Sequence, residues 1–259
     1  MARRLSLGWS VLALVLCAGQ AVAGTFTARW TYTVKLVKGS GPPATDLVSK
    51  TIVAAADAVG VVTLATGTDA GNFDGKRFGL NSNLVGSNIF VVVDSNMNFT
   101  RQSQGLMDRS ALQTMRYTDK RGSAPMMEFT ALPAQKLLRF NDGKGGLRTE
   151  PMTTPVVDMA VFPYIFLGLP APKSAQRIAI TDGKSVFEVL LTPLPEPWQV
   201  KGQPLRVVRM FGSTGGANLE LWVRESDSFP VKVRLSVVDK YGAILDQDIA
   251  ALPEGVMTR

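Results

Sequence analysis

Eight carboxylates, Glu128, Asp142, Glu188, Glu220, Glu225, Asp227, Asp246 and Asp248, are the side chains from which this chain would have to build acid-base chemistry. It has no histidine, and its one cysteine is Cys17. That removes cysteine and serine-histidine triads, an imidazole acid or base, thiolate or imidazole zinc ligation, and any intrachain disulfide. A carboxylate-based hydrolase, on envelope glycan for instance, needs two carboxyl groups ~5–10 Å apart in an open cleft. Sequence spacing does not say which two would converge, and the plainer reading makes most of them surface partners of Lys and Arg. No serine stands in G-x-S-x-G and none has a lysine three residues on, the two spacings that activate serine without histidine. With no catalytic set in view, a non-enzymatic protein without cofactor is expected.

Two further patterns fail as ion sites. Asp94 to Asn98, DSNMN, has the alternating oxygens of a calcium loop, but Phe99 stands where the sharp turn needs glycine and Gly105 where a bidentate carboxylate is needed. A hairpin turn is the better reading, and no metal site is assigned. GGLR at 145–148, after Lys144, offers backbone N–H groups to an anion but lacks the strand-to-helix setting of a phosphate loop, so it too reads as a hairpin.

The elements that would position any site begin after an export signal. Arg3 and Arg4 precede an apolar stretch from Leu5 to Ala18, and Ala21-Val22-Ala23 follows as a small-x-small cleavage site. Residues 1–23 are therefore expected to be removed, leaving 24–259 as one β-rich domain in the periplasm of a Gram-negative bacterium. Leu16 is bulky where a small residue precedes a lipid-modified cysteine, which argues against a lipoprotein at Cys17. The apolar stretch is shorter than the ~20 residues of a membrane span, so no transmembrane segment is expected in the mature chain. The chain carries 28 basic and 21 acidic residues, and losing Arg3 and Arg4 still leaves a mild excess of base. Those cations are spread without interleaved aromatics. This fits a solvated surface and peripheral contact with anionic headgroups, and it speaks against nucleic acid.

Strand periodicity dominates the chain beyond the leader. In TFTARWTYTVKL, Phe26, Ala28, Trp30, Tyr32, Val34 and Leu36 share one face and Thr25, Thr27, Arg29, Thr31, Thr33 and Lys35 the other, which predicts a half-buried antiparallel strand ended by GSGPP. TIVAAADAVGVVTLATG reads as two strands, and further strands are expected in NIFVVVDSNMNF, RSALQTMRYTDK, MMEFTAL, KLLRFNDG, SVFEVLLTPL, LRVVRMFG, NLELWVRE, PVKVRLSVVD and ILDQDIAAL. TPLPEPW, with Pro193, Pro195 and Pro197, reads as an extended surface crossing. Short strands at this spacing predict a mainly β fold, a curved antiparallel sheet forming a barrel or half-barrel.

One stretch breaks the pattern. VVDMAVFPYIFLGLP, 156–170, is strongly apolar, with Asp158 as a helix N-cap, Pro163 barring a long helix, and Gly168 with Pro170 as a stop. It predicts one short helical plug on the concave side of the sheet. Incomplete packing there would leave an apolar pocket, the shape of a small lipid site. Trp30, Tyr32, Phe162, Tyr164, Ile165, Phe166 and Trp222 are its candidate lining.

Several segments, in order, resemble a domain-of-unknown-function family of exported proteobacterial proteins. They are Arg101-Gln102-Ser103-Gln104-Gly105, the Arg116-Tyr117 strand, Asp158 before an apolar element, Thr181-Asp182-Gly183-Lys184 opening a hairpin, and above all ELWVRESDSFPVKVRL at 220–235. The resemblance covers roughly residues 85–250 and implies a periplasmic protein without assigned catalytic residues. The proline-interrupted VFPYIFL and the TPLPEPWQVKGQP insert depart from its pattern. In architecture alone the chain is also similar to periplasmic lipoprotein carriers, whose half-barrel is plugged by helices. The leading functional expectation is a non-enzymatic binding or carrier protein for a lipid or other apolar or amphipathic envelope component. A structural or adaptor protein in envelope assembly, bound to an envelope protein, and a carboxylate-based hydrolase remain open beside it.

Overall fold

The computed structural model describes residues 24–37, 60–86, 98–108, 111–200, 203–238 and 242–252, the side chains of 36, 195–200, 203 and 204 excepted. The leader, GSGPP, residues 45–59 and Asp94–Met97 of the DSNMN stretch lie outside the described residues. Among the described residues the first half of the chain forms β1 (Gly24–Leu36), β2 (Val62–Phe73), β3 (Arg77–Gly86), β4 (Asn98–Met107), β5 (Leu112–Arg121), β6 (Met127–Leu132), β7 (Leu137–Asn141) and β8 (Leu147–Pro151). The second half forms β9 (Val156–Asp158), β10 (Gln176–Thr181), β11 (Val186–Val200), β12 (Gln203–Thr214), β13 (Ala217–Arg224), β14 (Pro230–Val237) and β15 (Ala243–Ala251).

These strands make one sheet in the order β8-β7-β6-β5-β4-β3-β2-β1-β15-β14-β13-β12-β11-β10-β9. Every neighbouring pair is antiparallel except β9 and β10, which run parallel through Val156, Val157 and Asp158. The sheet has to curl. Laid flat at ~4.8 Å per strand, its outer strands would stand roughly 67 Å apart, yet β8 and β9 are joined by residues 152–155 alone, a link that reaches at most ~18 Å. Bulges at Arg29/Trp30, Tyr32/Thr33, Gln104/Gly105 and Trp222/Val223 supply local bends. The fold is thus mainly β, a curved sheet of barrel-like form, as the periodicity predicts.

Alternation along β1 comes out as expected, with Phe26, Ala28, Trp30 and Val34 buried. Small residues make room for this inner face. A Cβ on Gly71 would lie 2.4 Å from the Phe26 ring, and one on Gly105 would meet the Gln113 carbonyl oxygen at 2.0 Å. Aromatics fill the freed space: Phe26 lies 4.8 Å from Tyr164 and 5.6 Å from Phe229 between ring centroids.

TPLPEPW is not a separate crossing but the second half of β11, paired with β12 from Thr192 to Val200. β10 pairs with β11 only as far as Leu191. Pro193, Pro195 and Pro197 share one parity, so their missing N–H groups fall on the strand edge away from β12. There they block unwanted strand addition.

The parallel β9–β10 pair requires a crossover connection, and residues 159–175 are that crossover. The expected helical plug is there as a single 3₁₀ turn, Phe162–Tyr164, within a run of tight turns. Pro163 occupies its first turn, and Gly168, at φ +80°, ends the run. Phe162, Pro163 and Tyr164 are buried.

Candidate functional site

The inner face carries polar side chains in register across β2 to β5, next to Ala28 of β1. Ala28 faces Asp69, Asp69 faces Ser82, Ser82 faces Arg101, and Arg101 faces Asp119. Each sits at the inward parity of its strand, and Asp69, Ser82 and Asp119 are buried. Buried charge is tolerated only when paired, and Asp119 meets that condition. Its Oδ2 accepts from Arg121 Nε at 3.0 Å and Nη2 at 2.7 Å and from the Tyr117 hydroxyl at 3.3 Å, with Arg101 Nε further away at 3.7 Å.

Asp69 is held from the crossover. The Trp30 indole donates to the Tyr164 hydroxyl at 3.2 Å, and that hydroxyl donates to Asp69 Oδ2 at 2.7 Å. Burial pushes the Asp69 carboxyl up, against bonds from Ser82, Tyr164 and Trp30 and the charge of Arg101. Burial likewise raises the phenols of Tyr32, Tyr117 and Tyr164, so all three stay protonated donors.

Asp158 anchors the start of the crossover. Its Oδ1 accepts the N–H groups of Ala160 at 2.8 Å and Val161 at 3.1 Å, as an N-cap does, while Oδ2 accepts the hydroxyls of Thr114 at 2.7 Å and Ser103. Burial raises this carboxyl too, before those four bonds oppose it. At the other end Gly168 N donates to Asp227 O at 2.7 Å and Ala171 N to Glu225 O at 3.2 Å, which ties the crossover to the turn between β13 and β14.

Above Arg101, toward one end of the curled sheet, lies a cavity of ≈ 270 Å³. Tyr32, Ala65, Leu84, Phe99, Met159, Val233, Leu235 and Leu245 make its wall largely apolar, with Arg101 and Gln247 among its polar groups. The inward residues of β1 to β4, β14 and β15 converge there. A second cavity, also ≈ 270 Å³, opens beside β9 and β10 and includes Ile165, Phe166, Val157 and Ile178.

The candidate lining residues divide among these places. Tyr32 borders the first cavity, Ile165 and Phe166 the second. Trp30, Phe162 and Tyr164 are fully buried core, with Trp30 and Tyr164 in the chain to Asp69. Trp222 alternates with the core residues Leu221 and Val223 and so faces outward. It is buried there beneath Arg209 at 5.8 Å, Lys232 at 5.9 Å and Arg234 at 5.7 Å from its ring.

Seven of the eight carboxylates singled out for acid-base work stand in ion pairs: Glu128 with Arg116, Glu188 with Arg177, Glu220 with Arg209, Glu225 with Arg206, Asp227 with Arg224, and Asp246 and Asp248 with Lys232. Asp142 instead caps the β7–β8 turn through the N–H groups of Lys144 and Gly146. Sequence reasoning missed Asp69 and Asp119. The only signal was their inward parity in β2 and β5. Among the described residues no group of three or more His, Cys, Asp or Glu side chains is placed to hold a metal ion. No helix among them is long and apolar enough to cross a membrane.

The described residues thus form a mainly β, barrel-like architecture that carries a polar row on its inner face and two cavities beside it. The chain belongs to the family described as "Protein of unknown function (DUF3108)", whose model matches residues 50–248. Among solved structures it is similar to a β-barrel-like protein of domain of unknown function DUF1849 from Brucella abortus, at 8% identity and a TM-score of 0.49, over 86% of this chain and 95% of that one. No curated protein matches it.

Proposed function

We propose that this chain is a non-enzymatic binding protein, exported to the periplasm, that holds an apolar or amphipathic small molecule of the cell envelope in the cavity bordered by Tyr32, Leu84 and Leu245. The observation that carries this reading is the cavity itself. A mainly apolar hollow with a few polar groups, opening at one end of a curled sheet, is the usual form of a small-molecule site. Its ≈ 270 Å³ lies just under the ~300–1,000 Å³ of typical ligand pockets, which suits one acyl chain or a small ring system rather than a diacyl lipid. The Arg3-Arg4 leader with its Ala-Val-Ala site supports the compartment, and the pairing of the outward carboxylates supports a role other than hydrolysis.

The test is native mass spectrometry and solvent extraction of protein purified from the periplasm without detergent. A bound mass of a few hundred daltons is expected. It should disappear in Ala65→Trp, which fills the cavity from the β2 side, and persist in Phe166→Trp, which alters the second cavity. A bare polypeptide that stays bare after incubation with envelope lipids would refute the reading.

A further inference from the structure

We infer that the occupant of the Tyr32–Leu245 cavity carries an anionic head, a carboxylate or a phosphate, and that Arg101 receives it; this rests on the proposed binding role. The cavity wall includes two charged residues among those described, Arg101 and Asp246. They differ in what already satisfies them. Asp246 is claimed from the outer face by Arg234 at 2.7 and 2.8 Å and by Lys232 at 3.0 Å.

Arg101 is not claimed in this way. Its neighbour across the ladder, Asp119, is already held by two nitrogens of Arg121. Arg101 Nε approaches that carboxylate only to 3.7 Å and is buried without a hydrogen-bond partner. The other acid of the row, Asp69, accepts the Tyr164 hydroxyl instead, and burial raises its carboxyl against the charge of Arg101. The polar row thus leaves the Arg101 Nε without a hydrogen-bonded carboxylate. Its side chain is 23% exposed, on the cavity. A guanidinium presents a planar fork of donors that matches carboxylate or phosphate oxygens, and the Tyr32 phenol on the same wall adds a donor. An apolar hollow with one such cation fits a single-chain amphiphile, head on Arg101 and tail along Val233, Leu235 and Leu245.

The experiment is calorimetric titration of the purified mature chain with decanoate, decyl phosphate and decanol, alongside acetate and inorganic phosphate. At least one of the two acids should bind tenfold or more tighter than decanol, with acetate and inorganic phosphate a hundredfold weaker. Arg101→Met should bring that acid down to decanol's affinity and leave decanol unchanged. Arg101→Lys, which keeps the charge and guards against a folding defect in the Met variant, should retain part of the preference. Equal binding of acids and alcohol by the native protein would overturn the head-group assignment and leave the apolar site standing. Inorganic phosphate binding as tightly as decyl phosphate would make the occupant a free anion and overturn the amphiphile. If no chain-bearing probe binds, the binding reading falls and takes this inference with it.

Discussion

Replacing Asp158 is the sharpest perturbation of the crossover, because one buried carboxylate accepts four hydrogen bonds there. Asp158→Ala strands the N–H groups of Ala160 and Val161 and removes the acceptor of Ser103 and Thr114. A buried donor left without a partner costs ~1–3 kcal/mol. The two hydroxyls can turn to other acceptors and the amides cannot, so the two amides set a loss of about 3–5 kcal/mol, a large part of a domain stability of ~5–15 kcal/mol. Asp158→Asn keeps the Oδ1 acceptor for both amides and should cost only about 1 kcal/mol. Urea denaturation followed by tryptophan fluorescence reads both. If the alanine variant costs no more than the asparagine one, Asp158 is not what fastens the crossover.

The same pair carries a pH signature. Burial raises the folded carboxyl above its ordinary value, so the folded state keeps its proton after the unfolded chain has released its own. The stability this group contributes is therefore present below about pH 4 and is lost as pH rises through the folded value. Asparagine does not titrate, and Asp69, raised in the same direction, is common to both proteins. The wild-type advantage over Asp158→Asn should shrink as pH rises above about 4. A gap that stays constant across that range would mean the carboxyl is not raised.

Other sites test the remaining supports. Tyr164→Phe removes the hydroxyl between Trp30 and Asp69 and should cost about 1–3 kcal/mol by thermal denaturation; a loss under ~0.5 kcal/mol would deny that bridge. Gly105→Ala should destabilise by ~3 kcal/mol or more, since the new Cβ meets backbone oxygen at 2.0 Å, whereas Gly79→Ala, with nothing within 4 Å, should be near neutral. Burial alone would raise Asp246, but bonds from Arg234 and Lys232 hold it below its usual value. Its contribution is thus present at neutral pH and lost as pH falls below about 4. Acid titration should show the gap between wild type and Asp246→Asn closing there, and a gap that widens in acid would reverse the assignment.

Strand existence was legible because period-two alternation is set by burial of one face, as in Phe26 to Val34 and in Val231 to Leu235. β3, most of β4, β8, β9 and β10 were not expected as strands, and for β3 and β8 the reason is physical. RFGLNSNLVG puts Ser82 on the inner face beside Phe78, Leu80 and Leu84, and LRTEP in β8 is almost wholly exposed. The capping role of Asp158, the break at Pro163 and the stop at Gly168 were each legible, since capping and backbone strain act within a few residues, although Asp158 caps the turn at 159–161 and the 3₁₀ helix itself begins after Val161. The cavity was not. It is formed by β1 to β4, β14 and β15, whose inward residues meet only because β1 pairs with β15, a closure that no local pattern records. Trp222 looked like lining for a related reason. In NLELWVRE apolar residues occupy both faces, and the cations that cover the ring come from β12 and β14.

The one parallel pair explains why the apolar stretch is a crossover of tight turns rather than one more strand of the meander. A meander can close on itself with hairpins alone, but β9 runs parallel to β10, so the chain between them must cross over, and the burial of residues 160–167 shows that it does so inside the molecule. Met159, where that return begins, borders the first cavity, while Ile165 and Phe166, near its end, border the second, and Phe162, Pro163 and Tyr164 are buried between them in sequence. Asp158 fixes one end of this crossover, the β13–β14 turn the other, and Tyr164 its middle. Phe162 and Tyr164, which looked like binding surface, are therefore buried wall, and the proposed binding role rests on the groups that border the first cavity, Arg101 and Tyr32 among them.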